Sequence, residues 1–351
     1  MQMQYPSRWL SLLATLWLIL PAARAADTNL NYAPGTLSRV CEVTAPGAIV
    51  AYQPAPAVVQ QMVTRGVMGL THQSSEPAAW LSLVNTQDVV GLKVYSQAGL
   101  LSGTRPAVVA AVVQGLLAAG LPPQNIIIWD KHVADLRAAD YYKLGEQFGI
   151  QVVGCDATGY DPKTFYAPDT AVIGNLVWGD LEFGQKGPGI GRKSYVAKVV
   201  SQRITKIISI APLLNLSACG VSGHLFSLTQ GSVDNTLRFE DEPDRLAVAV
   251  PEIYALPVLG DRVVLNITDA LIAQYEGGSR TMLQYSTVLD QLWFSHDPVA
   301  LDTLSVKELL GERQRHFDEE DPPHVDLYNN AVLLQLGVSD PAKMIIEKIK
   351  L

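Results

Sequence analysis

Between Asp88 and Asp156 the chain reads DVVGLKVYS, then RPAVVAAVVQGLLAAG, NIIIWD, VADLRAADYYKLGEQFG and IQVVGCD. Short β-branched runs that are apolar almost throughout are strands covered on both faces, and the longer runs of three-to-four-residue period between them are helices. Strands of this kind cannot leave either side in water. The alternation therefore predicts an α/β fold, a mostly parallel sheet with helices on both faces. Pro106 in the first turn and Gly120 just past the last punctuate one of the helices. AVVQQMVTRGVMGL (57–70) has the same period. KIISIAP (206–212), RVVLNITD (262–269) and DQLWFSHD (290–297) read as further strands, and PVALDTLSVKELLGERQ as a helix. VDLYNNAVLLQLG and KMIIEKIK finish the chain. Residues 26–351 form a single domain in this reading, with the least regular stretch, 159–201, as an insertion or cap.

The beginning of the chain, MQMQYPSRWLSLLATLWLILPAARAAD, places Arg8 ahead of an apolar core too short for an ordinary membrane span. Ala23 and Ala25 are the small residues of a cleavage site, so residues 1–25 read as a signal peptide; an uncleaved anchor is the rival reading. A periplasmic or secreted protein is expected, with no transmembrane segment after cleavage. Acidic residues number 34 against 26 basic ones and no basic stripe stands out, which argues against a nucleic-acid partner. Cys41, Cys155 and Cys219 are the 3 cysteines. They are too few for a site needing four thiolates, so no iron–sulfur cluster is expected. Either two of them form a disulfide or all are buried as small apolar residues.

Ligands of open parallel sheets bind outside the carboxyl ends of the strands. In this reading those ends carry Lys93, Tyr95 and Ser96, then Asp130, Asp156, Asn215 and Ser217, Asp269, and Ser295, His296 and Asp297. Asp130 and Asp297 also read as helix caps, Asp297 because Pro298 follows it. After KIISIAPLL comes GVSGHLFSLTQGSVDN (220–235), rich in Gly and Ser around one histidine. Gly220, Gly223 and Gly231 permit close backbone approach. A helix beginning near Ser222 would aim free N–H groups at an anion, with Ser217, Asn235 and Arg238 beside it. His224 and His296 are the acid–base candidates and Lys93 an electrostatic one. The alternative is a tight strand–helix connection.

Other motifs fail on spacing. GPGIGRKS (187–194) is not a phosphate loop because Arg192 separates Gly from Lys. GVSGH has His224 where a nucleophile elbow needs Gly. HFDEEDPPHVD (316–326) reads as a solvated acidic loop rather than a metal site. A Mg²⁺ or Ca²⁺ site built from Asp130, Asp269 and Asp297 stays open.

Four blocks carry a resemblance: DVVGLKVYSQAGLLSGTRPAVVAAVVQGLLAAGLPPQNIIIWD, ITKIISIAPLLNLSACGVSGHLFSLTQGSVDN, LNITDALIAQYEGG and FSHDPVALDTLSVKELLGERQ. In order and spacing they resemble the bacterial and archaeal family called domain of unknown function 362. The resemblance implies the fold and compartment more than a reaction; some members add ferredoxin-type modules, which have no counterpart here. The chain also departs from the family pattern. Asn215 stands where Lys is usual, Leu216 or Ser217 where His is usual, and Phe226 and Ser227 replace Lys-Asn. Tyr95 replaces Asn, and His224 is an addition. The expectation is an exported protein that binds a small anionic metabolite at the carboxyl ends of the strands and acts on it by acid–base chemistry. The alternatives are a non-catalytic periplasmic binding or accessory protein, or a redox-associated component, which the cysteine count disfavours.

Overall fold

The computed structural model describes residues 32, 35–167, 193–240, 242–317 and 324–351. Residues 1–25, expected from the sequence to be a signal peptide, lie outside the described residues, as do most of GPGIGRKS, the centre of HFDEEDPPHVD and the middle of the 159–201 segment. In chain order the elements are β1 (Ser38–Thr44), β2 (Ile49–Val50), β3 (Gln53–Pro54), α1 (Pro56–Thr71), α2 (Glu76–Leu83), β4 (Val90–Val94), α3 (Gly99–Ser102), α4 (Pro106–Ala118), β5 (Ile126–Asp130), α5 (Val133–Ala138), α6 (Tyr141–Phe148) and β6 (Gln151–Gly154). Then come α7 (Cys155–Thr158), β7 (Tyr160–Tyr166), β8 (Ser194–Ala197), α8 (Lys198–Gln202), β9 (Lys206–Leu216), β10 (Gly220–Val221), α9 (His224–Gln230), α10 (Pro243–Tyr254), β11 (Val263–Gln274), β12 (Ser286–Ser295), α11 (Pro298–His316), α12 (Asp326–Leu333) and β13 (Met344–Lys350).

The main sheet runs β13-β1-β12-β11-β9-β4-β5-β6, with β10 folded back on β9. Along that row every neighbouring pair is parallel except the two that involve β12. Side chains alternate between the faces as the pleat requires. On β5, Ile126 and Ile128 join the core beneath α1, α2, α4 and α6. Ile127 and Trp129 join the opposite core, which contains apolar residues of α8 to α12. The sheet is thus covered on both sides, as expected of an α/β fold with near-continuous apolar strands.

One expectation is corrected by the direction of β12. Asn266 of β11 lies opposite Ser295, and Thr268 opposite Trp293, so β12 runs antiparallel to its neighbours. The end of β12 therefore reaches the rim where the parallel strands begin. Ser295 is level with Asn266 of β11, and His296 and Asp297 continue past it toward the start of β11, where His296 Nδ1 is 2.8 Å from the Val264 carbonyl oxygen. The cause is the connection. The connection from β11 to β12, residues 275–285, consists of turns and one turn of 3₁₀ helix (Leu283–Tyr285) with no α-helix, whereas a parallel return requires a crossover usually made by an α-helix.

Two other elements differ from the sequence reading. The helix predicted over VADLRAADYYKLGEQFG is two helices, α5 and α6, broken where Asp140 takes φ 61°. β1, unremarked in the sequence, fills the place between β12 and β13. The ends of the irregular segment form the antiparallel pair β7–β8, and Val196 of β8 bridges to Val233.

Candidate functional site

The glycine-rich segment is built around an anion supplied by the chain itself. Gly223 is the residue before α9, and the first two amides of the helix, His224 N and Leu225 N, donate to the two oxygens of Asp302 at 2.6 and 2.9 Å. Asp302 comes from α11 and is buried. A Cβ at Gly223 would lie 2.0 Å from Asp302 Oδ1, so glycine is what lets the carboxylate approach. The helix amides assigned in the sequence to an external anion are thus occupied by an internal one. Burial pushes the Asp302 carboxyl up to about 7, against the lowering effect of the two amides.

His224 is fully buried, with Nδ1 2.9 Å from Ser209 Oγ and Nε2 3.1 Å from Thr268 Oγ1. Burial lowers its pKa to about 3, so the imidazole is neutral. It belongs to a polar row that crosses the sheet under α9: Lys93, Ser209, Asn266 and Ser295 are lateral neighbours on successive strands, all buried. Lys93 Nζ pairs with Asp130 at 2.9 Å and donates to Ser227 Oγ at 3.1 Å. Asp130 also accepts from the Ser96 amide and hydroxyl, each at 2.7 Å. Gly231 closes over this pair, since a Cβ there would lie 2.1 Å from Lys93 Cε. The remaining candidates are distributed around these groups. Ser222 donates to the Leu214 carbonyl oxygen, and Ser217 is exposed near Gly220 in the β9–β10 turn. Asn235 Nδ2 donates to the Lys193 carbonyl oxygen, and Arg238 donates to Ser194 Oγ at 3.0 Å.

A second charge pair lies where β4 leads into α4. Arg105 precedes Pro106, the first residue of α4, and is 3% exposed. Its amide and Nη1 both donate to Asp269 at 2.9 Å, while Nη2 reaches the Leu101 carbonyl oxygen. Arg105, but not its partner Asp269, lines a cavity of about 190 Å³, together with Leu100, Leu101, Pro106, Ala107, Asp140 and the β2–β3 hairpin residues Tyr52 to Pro54. The loops around it follow the carboxyl ends of β1, β4 and β5, the rim where open parallel sheets bind ligands. Three of the non-glycine residues with positive φ are at or next to this cavity. Ala51, Tyr52 and Asp140 have φ of 50°, 61° and 61°, a conformation that costs a non-glycine residue on the order of 1–3 kcal/mol.

Four sequence expectations can now be placed. Lys93, Asp130 and Asp269 lie at the carboxyl rim, each in a buried ion pair. His224 is inside the protein, under α9. His296 lies at the opposite rim and burial lowers its pKa. Asp297 is the cap of α11, accepting from Ala300 N and Val338 N at 2.9 Å each. Asp130, Asp269 and Asp297 do not converge, and among the described residues no group of three or more His, Cys, Asp and Glu could hold a metal ion. All three cysteines are free and buried. The sequence reading missed Arg105, Asp302, Tyr52 and Asp140. A signal existed for Asp302, an acid following Val299, Ala300 and Leu301 on a helix.

No protein-family model matches the chain, and no curated protein matches it. Among solved structures, a crystal structure of a protein from Thermotoga maritima, a Northeast Structural Genomics Consortium target, is similar with a TM-score of 0.41 and 11% identity. The match covers 77% of this chain and 61% of the other, so the chain spans less than two thirds of that protein's length.

Proposed function

We propose that this chain is an exported protein that binds a small anionic metabolite at the carboxyl rim of its sheet. The observation that carries the reading is the cavity of about 190 Å³ walled by the buried Arg105 and the first turn of α4. The positive end of the helix favours negative charge there, and the Arg105 guanidinium, its charge partly balanced by Asp269, is the basic group on the wall. The acid–base candidates do not meet at this cavity: His224 is enclosed beneath α9, His296 is at the opposite rim, and Lys93 is engaged by Asp130. That distribution favours holding the ligand over transforming it, the role of a binding or accessory protein. Export to the periplasm or beyond rests on Arg8, the short apolar core and the Ala23–Ala25 cleavage site. Among the described residues no helix is long and apolar enough to cross a membrane. The four sequence blocks support placing the chain with the domain of unknown function 362 family.

The test is calorimetric titration with a panel of small carboxylates and inorganic phosphate, on the parent protein and on Ala107→Glu. An acid in the first turn suits the helix but puts a negative charge on the cavity wall. Affinity for the binding anion is expected to fall about tenfold or more, the scale of ~1.4 kcal/mol, with thermal stability unchanged. If no anion binds the parent, or if Ala107→Glu binds as the parent does, the cavity is not an anion site.

A further inference from the structure

The cavity has two charged walls of opposite sign. Arg105 is buried and held by Asp269, so its position is set by the fold. Asp140 is on the other side of the charge balance. It is half-exposed, and its ion pair is with Lys143 three residues on, whose side chain is 77% exposed. Such a surface pair is weak and readily exchanged for another cation. Asp140 is also held by the break between α5 and α6 at φ 61°, which fixes its backbone at the cavity instead of within a helix. Between the charges the walls are apolar, from Leu100 and Leu101, and the strained hairpin adds Tyr52 and Gln53. A simple anion would leave Asp140 as a like charge against it. A molecule with both charges and an apolar body would answer every wall.

We infer that the cavity takes a small zwitterion of the amino-acid class with an apolar side chain, its carboxylate toward Arg105 and the start of α4 and its ammonium toward Asp140. This rests on the reading of the cavity as an anion site and narrows it. The chain's own contribution is charge placement: Arg105 and Asp140 select both ends of one molecule, and the leucines take its side chain.

Three probes separate the two readings by calorimetry: L-leucine, isocaproate, which lacks the amino group, and isoamylamine, which lacks the carboxylate. L-leucine is expected to bind about tenfold or more tightly than either single-charge probe, because hydrogen bonds between ionised groups are lost with each deletion. Asp140→Asn is expected to weaken L-leucine by a similar factor, roughly tenfold, and to tighten isocaproate by removing a like charge. Asp140 is on the surface, so this variant keeps its fold. If isocaproate binds as tightly as L-leucine, the zwitterion assignment is wrong and the anion site stands. If neither carboxylate binds, both fail.

Discussion

The Lys93 ammonium group is fully buried; its partners are the Asp130 carboxylate, a hydroxyl and a carbonyl. A buried pair of this kind contributes little relative to well-packed apolar residues, but losing one partner strands the other charge. Lys93→Met is therefore expected to destabilise the protein by about 3–5 kcal/mol, read as a lower urea midpoint. Adding Asp130→Asn to that variant is expected to restore part of the loss, because no uncompensated charge remains. A single-mutant loss under about 1 kcal/mol would mean that water reaches the pair. Arg105 and Asp269 obey the same logic, and there the fixed charge lies at the cavity.

At the scale of elements, Asp302 joins α11 to the start of α9, and its carboxyl titrates near 7 in the folded chain. An unfolded Asp carboxyl titrates near its ordinary value of 3.8, so between pH 6 and pH 8 only the native state holds a proton on it. The raised pKa thus contributes stability at low pH that is lost as pH rises through 7. The change from pH 6 to pH 8 is on the order of 1.4 kcal/mol. His224 acts in the opposite sense and lower down. Its folded pKa of about 3 lies below the ordinary histidine value of 6.5, so stability declines as pH falls from 6.5 toward 3. Urea unfolding at pH 6, 7 and 8 is expected to show the parent losing stability with rising pH. Asp302→Asn should flatten that dependence; an unchanged slope would place the titration elsewhere.

The elements also show what could be read from sequence. β4, α4 and β5 were legible because their patterns are local: apolar runs, Pro106 at the start and Gly120 at the end. The direction of β12 was not, since alternation is the same in either direction, and the clue lay in the absence of a helix between Gln274 and Ser286. The capping role of Asp302 was hidden by distance along the chain, as its partner His224 is 78 residues away. Arg105 was visible but unassigned, because nothing local connects it with Asp269.

Across the whole molecule, β1 lies between two strands from the far end of the chain, β12 and β13. β13 pairs in parallel over its full length, from Ser38 opposite Met344 to Thr44 opposite Lys350. Removal of residues 344–351 would leave β1 as an open edge, and such edges recruit other strands. The shortened chain is expected to unfold at lower urea and to self-associate in sedimentation; a monomer with the parent midpoint would show β13 to be dispensable.

That pairing also sets a clock on synthesis. The first strand to leave the ribosome has no lateral neighbour until β12 follows, after more than two hundred residues. At ~5–20 residues per second this is a wait on the order of ten seconds or more, during which α1 can cover Cys41 and Val43 but both hydrogen-bonding edges of β1 stay open. A nascent chain in that condition is a substrate for holding chaperones, and its β1 segment is where they would be expected to grip.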